Sequence, residues 1–286
     1  MLDGIAKLDP VAVCRSYGDY VELRQKHPLA ALHDAEARLV ANASEFDVQG
    51  YCAVCEREAA FRVDFKFTST PVPNWRERLT CPHCGLNNRL RLSIHFLKQF
   101  GNISRASTIY VTEQKTRLYR VLKGYYPSLV GSEYLRDGTT RGTTNADGLR
   151  HEDLTNLSFP ENSLGLICTF DVMEHVPDYR KAIAECVRCL RPGGNILVTV
   201  PFNLNSEATR IRARVLSDGS IEHLLPPQYH ADPMSTDGAL CYQIFGWDFV
   251  SLLESAGFSN AAIYFFWSEK LGYLGGLQAM IFGAKD

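Results

Sequence analysis

Two pairs of cysteines strongly restrict what this chain can fold into. Cys52 and Cys55 form one C-x-x-C pair, and Cys81 and Cys84 form a second. Each pair can form a tight turn that directs two thiolates at one point, and two such turns joined by a hairpin make a tetrahedral four-sulfur site that suits Zn²⁺. Because four sulfurs leave no open coordination position, we expect this zinc to be structural.

Other roles for these cysteines stay open. Four buried thiols or a redox pair are alternatives, although a redox pair would explain only one of the two motifs. A third C-x-x-C, formed by Cys186 and Cys189, lies on a predicted helix without a second pair, which favours core packing. The chain has nine cysteines, and without a secretory signal this indicates metal binding or packing rather than disulfides.

Composition excludes several classes of protein. With 286 residues, 45% of them hydrophobic and 22% charged, the chain is neither disordered nor fibrous. A net charge of −2 argues against a protein that coats nucleic acid. No apolar run reaches the ~18 residues of a membrane span, and Asp3, Lys7 and Asp9 interrupt the N-terminal segment, so we predict no secretory signal. We expect a cytoplasmic protein that does not associate with membranes. The composition is compatible with a homo-oligomer.

The chain divides into three predicted parts. Residues 1–50 carry apolar residues at helical spacing and are predicted to form a helical arm, in which Pro28 opens or breaks a helix. Residues 51–95 contain the paired cysteines and are predicted to form a small zinc ribbon. Residues 96–286 form the main domain, with an insertion over 201–245.

Alternating apolar and polar residues in the ribbon predict a half-buried strand through Val63, Phe65 and Phe67. Basic residues around the cysteines could form a docking surface for an anionic partner. A solvated face that offsets the charge of a zinc–thiolate cluster is favoured. These residues, which Trp75 accompanies, are Arg57, Arg62, Lys66, Arg76, Arg78, Arg89 and Arg91.

From Ser107 onward, strand-like apolar runs alternate with helical ones. This order predicts an α/β fold with a mostly parallel sheet and helices on both faces, and two late strands with a short connection predict an antiparallel edge. The predicted strands span 107–112, 128–135, 149–154, 164–170, 195–200, 261–267 and 277–284, and the predicted helices span 115–126, 178–190 and 247–258.

Four short stretches of this part occur in a characteristic order. They read SEYL, HEDLTNLSFPENS, LICTFDVMEHVPD and LRPGGNILVTVPF. In this order they resemble the class I S-adenosylmethionine-dependent methyltransferases, and among them the type 11-like members. The resemblance implies a Rossmann-like seven-stranded sheet, with S-adenosylmethionine bound at the carboxyl ends of the strands.

The resemblance also implies roles for acidic residues that follow the strands. Glu133 would accept hydrogen bonds from the ribose diol, with Tyr134 beside it, and Asp153 would meet the adenine amino group, with Leu154 beside the ring. Asp171 would lie at the same carboxyl edge. Glu133 could alternatively be a surface acid and Asp153 a turn cap, but their joint placement after successive strands favours the ligand role.

The first loop departs from the family pattern. Where the family usually has a glycine-rich loop, this chain has Thr112, Glu113, Gln114 and Lys115. It more closely resembles methyltransferase-like proteins that carry a zinc ribbon and a short acidic turn. Glu113 would then pair with the cofactor's ammonium, and Thr112 or Gln114 would bind its carboxylate. The alternative is a loop with weakened or lost cofactor binding.

Methyl transfer from a sulfonium is an in-line displacement, so a base is needed only for a protonated oxygen or nitrogen acceptor. His175 follows the fourth strand of the main domain, where it is either catalytic or a helix-start histidine bonded to backbone. The insertion is predicted to form a lid or acceptor pocket. Its candidates are Glu222, His223, Tyr229 and His230, unless its polar groups simply satisfy one another.

These observations predict methyl transfer from S-adenosylmethionine to a small polar metabolite, such as a sugar or a secondary metabolite, in a protein with structural zinc. One alternative is an RNA methyltransferase that docks RNA through the ribbon, against which the near-neutral charge argues. Another is a non-catalytic methyltransferase-like binding subunit, which the glycine-free loop supports.

Overall fold

A computed structural model describes residues 6–27, 29–104 and 106–286. Pro28, which was predicted to open or break a helix, lies outside the described residues. The chain forms two compact units. The first comprises Met1–Cys14, Tyr20–Asn102 and Tyr264–Met280, and the second comprises Arg15–Asp19, Ile103–Ile263 and Ile281–Asp286. The division into arm, ribbon and main domain stays a prediction.

The N-terminal third of the chain contains strands as well as helices. Its elements are β1 (Ala12–Cys14), α1 (Tyr17–Lys26), α2 (Ala30–Leu39), β2 (Glu45–Cys52), β3 (Arg57–Asp64), α3 (Trp75–Arg78) and α4 (Asn88–Phe100). Helices α1 and α2 occupy the predicted arm, but β2 also begins there. Strand β2 pairs antiparallel with β3 from Glu45↔Asp64 to Cys52↔Arg57. The hairpin places Cys52 at the end of its first strand.

The predicted strand through Val63, Phe65 and Phe67 is shifted toward the N-terminus. Strand β3 ends at Asp64, and Val63 is buried within it. Phe67 has a φ of +62° and is 80% exposed. The alternation at Phe65 and Phe67 therefore does not continue the sheet, because a left-handed residue ends the extended backbone.

A buried guanidinium organises the first unit. Arg91 on α4 is fully buried and donates to the carbonyl oxygens of Leu271 and Gly272 at 2.8 and 2.7 Å. Its guanidinium carbon lies 4.0 Å from the centroid of the Phe61 ring. Arg91 is thus a core residue rather than part of the solvated basic face, since hydrogen bonds and a ring face replace its lost hydration.

The second unit contains the main sheet and the insertion. Its elements are β4 (Ile109–Val111), α5 (Arg117–Tyr125), β5 (Val130–Gly131), β6 (Leu164–Phe170), a 3-10 turn (Met173–His175), α6 (Tyr179–Cys189), β7 (Leu190–Thr199), β8 (Arg210–Ile211), β9 (Ala213–Val215), β10 (Ile221–His223), β11 (Tyr229–Asp232), β12 (Ser235–Leu240), β13 (Gln243–Ile244), α7 (Asp248–Ala256), β14 (Phe258–Ser268) and β15 (Tyr273–Lys285). Strands β14 and β15 are divided between the two units. Across the described ranges, no helix has the length and apolar character needed to span a membrane.

The seven-stranded sheet has the order β1-β14-β15-β7-β6-β4-β5. Strands β5, β4, β6 and β7 form its parallel core. Strand β15 pairs antiparallel with β7. A mixed sheet with a mostly parallel core fits the predicted Rossmann-like α/β fold.

The predicted strand over 149–154 is wrong. It contributes only isolated bridges, of which Glu133↔His151 is parallel. Its side chains are engaged locally instead: Arg150 pairs with Glu152 at 2.7 Å, and Asp153 accepts from the Thr155 backbone N–H at 2.8 Å. Such local bonds compete with a ladder. The seventh strand of the sheet is β1.

Strand β7 begins earlier than predicted. The sequence predicts that the preceding helix ends at the Arg191-Pro192-Gly193-Gly194 turn and that the next strand begins at residue 195. In the structure, β7 instead runs from Leu190 through this segment. A register shift between Leu164 and Leu166 of β6 and a φ of +72° at Gly193 accommodate the irregular backbone.

Gly257 ends α7 in the left-handed conformation that L-residues disfavour, with a φ of +111°. A Cβ there would meet only Val187 Cγ1, at 3.8 Å, so the cost of Gly257→Ala is backbone strain rather than a clash. We expect a loss of about 1 kcal/mol in unfolding free energy, measured by urea denaturation. Gly124→Ala, on α5 with open space around its Cβ, serves as the control and should be neutral or stabilising. Equal losses in both variants would contradict this account.

Candidate functional site

The carboxyl ends of the parallel strands deliver polar residues to one edge of the sheet. Thr112 and Glu113 follow β4, Glu133 lies two residues after β5, and Asp171 follows β6. Strand β4 pairs in parallel with both β5 and β6. Because parallel strands end at the same edge, these side chains lie where open α/β sheets bind ligands. Their individual roles as cofactor ligands stay predictions.

The Glu133 carboxylate stabilises the loop that follows β4. Its Oε1 accepts hydrogen bonds from the backbone N–H groups of Gln114 and Lys115, at 2.7 and 2.8 Å. Among the described residues, its second oxygen, Oε2, accepts none. Burial raises the pKa of the Glu133 carboxyl, the two backbone bonds oppose this rise, and the Asp232 carboxylate adds to it. Oε1 is thus used to hold the loop, and Oε2 is available to accept a hydrogen bond from a ligand.

The Gln114 side chain ties the loop to a later segment. Its Nε2 donates to the carbonyl oxygen of Gly148, and its Oε1 accepts from the Arg150 N–H, both at 2.9 Å. Nε2 carries a second N–H, so a cofactor carboxylate could bind Gln114 without replacing either bond. Thr112 offers a different group, because its buried hydroxyl has no hydrogen-bond partner in the described part of the chain.

Asp153 and Leu154, the two residues predicted to contact the adenine, follow β5 in the chain. Asp153 accepts from the backbone N–H and the hydroxyl of Thr155 through Oδ1, both at 2.8 Å. This is the turn-capping arrangement, and it leaves Oδ2 for another donor. Leu154 is buried, whereas Tyr134, beside Glu133, is 58% exposed.

Asp171 adopts strained backbone at the end of β6. Its φ is +52°, and its N–H donates to the Thr199 carbonyl oxygen at 2.8 Å. Left-handed non-glycine residues are uncommon and concentrate at functional positions. The conformation directs the chain from β6 into the 3-10 turn that carries His175.

The structure brings together two of the predicted catalytic residues. The rings of His175 and His230 lie 5.0 Å apart between centroids, at 81°. A third residue, Glu174, was not singled out from the sequence and lies between them. Its Oε1 is 3.7 Å from His175 Nε2 and 3.4 Å from His230 Nδ1. The signal in the sequence was the adjacency of Glu174 and His175 directly after a buried strand.

The other insertion candidates lie elsewhere. The insertion forms three two-stranded pairs, β10-β9, β11-β12 and β13-β8. Glu222 and His223 lie on β10, where Glu222 pairs with Arg214 and His223 is exposed. Tyr229 lies on β11 with His230 but is 55% exposed. Glu222 and His223 therefore lie on a different two-stranded pair from His230.

The four paired cysteines form a tight cluster in the first unit. Their sulfurs all lie within 4.8 Å of one another. Cys52 Sγ is 3.9 Å from Cys84 Sγ, and Cys55 Sγ is 3.8 Å from Cys81 Sγ. Burial, followed by the neighbouring Cys52, raises the pKa of Cys55 to about 12. The hydrogen bonds within the cluster act in opposite directions, because those from Cys52 and Cys84 lower the pKa of Cys81, whereas those from Cys52 and Cys81 raise the pKa of Cys84.

Left-handed residues close both cysteine turns. Glu56 follows the first pair with a φ of +56°, and Gly85 follows the second with a φ of +65°. Their N–H groups donate back to the carbonyl oxygens of Cys52 and Cys81, both at 2.8 Å. Cys186 and Cys189 are fully buried on α6 and are not part of this cluster.

Comparison with known families identifies one segment. Residues 117–198 match a family model described as a methyltransferase domain. The match runs from the start of α5 almost to the end of β7. It includes Glu133, Asp153, Asp171, Glu174 and His175, and it excludes the cysteine cluster and the insertion.

The proteins similar to this chain include one curated relative and two solved structures. A 53-residue stretch is 42% identical to a probable S-adenosylmethionine-dependent methyltransferase from Mycolicibacterium smegmatis, spanning 18% of this chain and 21% of that protein. An S-adenosylmethionine-dependent methyltransferase from Mesorhizobium loti is 11% identical over 64% of this chain and 94% of its own, with a TM-score of 0.39. A putative one from Listeria monocytogenes is 8% identical over 67% and 97%, with a TM-score of 0.40.

Both TM-scores lie below 0.5, so the description of the fold rests on this chain's own strand order. The curated relative extends well beyond the matched stretch, because the match covers 21% of its length. The similarity is thus confined to part of the chain: residues 117–198 match the methyltransferase domain model, and the matched relative is described as a probable S-adenosylmethionine-dependent methyltransferase.

Proposed function

We propose that this protein transfers a methyl group from S-adenosylmethionine to a small polar acceptor. The observation that carries the proposal is Glu133, a buried carboxylate at the carboxyl edge of the sheet within the matched methyltransferase segment. Its Oε1 holds the first loop, and its Oε2 is left to accept from a ribose hydroxyl. When bound, S-adenosylmethionine supplies an electrophilic methyl group on a positively charged sulfur.

The other residues at this edge suit the remaining parts of the cofactor. The unpartnered Thr112 hydroxyl could hydrogen-bond the amino-acid end. Asp153 keeps one oxygen for the adenine amino group, beside the apolar Leu154. The loop has no glycine, but its N–H groups at Gln114 and Lys115 are turned toward Glu133. Recognition of the amino-acid end must therefore rely on side chains more than on backbone.

The acceptor is proposed to be small and polar because of what lies beside the edge. His230 comes from the insertion and meets His175 from the turn after β6. These imidazoles can orient a polar acceptor. Three of the seven basic residues around the cysteines are engaged within the protein, since Arg91 is buried, Arg78 pairs with Asp64 and Arg89 pairs with Glu77. Arg57, Arg62 and Lys66 are exposed, and it is the near-neutral charge of the chain that argues against RNA.

We also propose that the four cysteines hold a structural zinc ion. With Zn–S bonds of about 2.3 Å, tetrahedral ligands lie about 3.8 Å apart. The S–S separations of 3.8 and 3.9 Å agree with this value. Four sulfur ligands leave no position for substrate, which limits this metal to holding the β2–β3 hairpin and the second cysteine turn together.

Calorimetric titration with S-adenosylmethionine tests the proposed activity. We expect near-micromolar binding, about −8 kcal/mol. Glu133→Gln should weaken it at least about tenfold, because the amide oxygen can still anchor the loop while an N–H₂ group replaces Oε2. Glu222→Gln, an acid on the exposed β10, is the matched control and should bind normally. Urea denaturation separates loss of binding from loss of folding.

Absence of binding up to millimolar cofactor would overturn the enzymatic proposal and favour a non-catalytic binding subunit. Salt-dependent retention of RNA in a filter-binding assay would instead replace the small acceptor by RNA.

Metal analysis of purified protein tests the zinc proposal. We expect the zinc content to fall by about one ion per chain in Cys84→Ser, because three sulfurs bind less tightly than four. Cys186→Ala is the matched control, since that residue lies in another C-x-x-C on α6 and should leave the zinc content unchanged. Equal zinc contents in Cys84→Ser and wild-type protein would contradict the assignment.

A further inference from the structure

Glu174 is a buried carboxylate without visible compensation. It is fully buried, and neither side-chain oxygen accepts a hydrogen bond from a described residue. Two other buried acids differ: Glu36 accepts from Trp267 and from two backbone N–H groups, and Glu152 pairs with Arg150. A buried charge without partners is strongly unfavourable. A cation bound at Glu174 would supply the partner that this carboxylate lacks among the described residues.

Two imidazoles face this carboxylate at a distance that leaves room for a cation. His175 Nε2 is 3.7 Å and His230 Nδ1 is 3.4 Å from Glu174 Oε1. A charge-assisted hydrogen bond from a protonated histidine would be shorter, about 2.7–2.9 Å. Around a metal with bonds of about 2.0–2.2 Å to nitrogen and oxygen, tetrahedral ligands lie about 3.4 Å apart.

We propose that Glu174, His175 and His230 bind a divalent transition-metal cation. The potential ligand atoms all lie within 4.8 Å of one another. Two imidazoles and one carboxylate suit cations such as Zn²⁺, Mn²⁺ or Fe²⁺ rather than Mg²⁺ or Ca²⁺, which prefer oxygen ligands throughout. The donor set also differs from the all-sulfur cluster in the first unit.

In each imidazole, one ring nitrogen contacts the protein, and the other, His175 Nε2 or His230 Nδ1, can bind the cation. His175 Nδ1 lies 2.8 Å from the carbonyl oxygen of Leu240 and must donate to it, which leaves the Nε2 lone pair directed toward Glu174. His230 Nε2 lies 3.3 Å from the side-chain nitrogen of Gln228. A flip of that amide supplies an acceptor for Nε2–H, so that Nδ1 can bind the metal.

The turn that carries two of the ligands is held from the other side. The Tyr242 N–H donates to the Glu174 carbonyl oxygen at 2.8 Å. The buried Gln243 side chain donates to the carbonyl oxygens of Met173 and Val176, at 2.8 and 3.1 Å. These bonds fix the turn before any cation arrives, which lowers the cost of binding.

Three protein ligands leave coordination positions open. Glu174 is inaccessible, but the side chains of His175 and His230 are 18% and 27% exposed, so the cation would be accessible from the imidazole side. An oxygen of a small acceptor could occupy an open position, as in other sites with three protein ligands. Cation binding does not depend on the proposed methyl transfer and can be measured without S-adenosylmethionine.

Titration with Co²⁺ tests the site. Protein that contains zinc at its cysteines is titrated by calorimetry and by visible absorption. We expect one further equivalent of Co²⁺ without the near-ultraviolet band that thiolate ligands produce. His230→Ala should weaken this binding at least about tenfold. His223→Ala, an exposed histidine on the neighbouring β10, is the matched control and should bind as wild type does.

Two outcomes would overturn the proposal. One is that wild-type protein binds no Co²⁺ beyond an equivalent that shows the thiolate band. The other is that His230→Ala and wild-type protein have equal affinity. Glu174→Gln provides a second variant with the same expected loss of Co²⁺ binding. Should that variant fail to fold, His230→Ala still decides, because His230 is partly exposed on a short hairpin. Failure of S-adenosylmethionine binding would leave this result unchanged.

Discussion

The arrangement of the proposed cofactor site depends on the hydrogen bonds between Glu133 and the first loop. The carboxylate turns the N–H groups of Gln114 and Lys115 toward the protein. In a glycine-rich loop such groups would face a ligand. The exchange explains how β4 can pass into α5 without a glycine, because an acceptor inside the protein stabilises the turn. It also moves recognition of the cofactor to the remaining carboxylate oxygen and to neighbouring side chains.

The parts of the fold that were predicted correctly have strong, uninterrupted patterns. Strand β6 is buried along its whole length, and α6 and α7 carry apolar stripes that end at identifiable residues. The strand predicted over 149–154 does not form, because its polar residues make local hydrogen bonds through Glu152 and Asp153. Strand β1 was missed because three residues are too few to show a period.

Some residues of the candidate site could likewise be predicted from the sequence, and others could not. Local spacing identified the cysteine pairs, and position after a strand identified Glu133 and Asp171. The sequence could not show that Glu174 meets His230, since their contact depends on how the insertion folds. His230 lies on β11 opposite Ala239, whereas His223 lies on β10 opposite Ala213, so the two histidines belong to different two-stranded pairs.

The two clusters of potential metal ligands differ in what they require of the fold. The cysteine cluster is assembled from two short turns that close on themselves, so its geometry is largely local. The Glu174 cluster joins the turn after β6 to β11 of the insertion, and it exists only when that strand lies against the turn. A ligand that binds only the assembled arrangement stabilises it by mass action. A cation at Glu174 would therefore favour the placement of β11 while keeping open positions for an acceptor, whereas zinc at the cysteines would stabilise its own unit and leave the chemistry to the other.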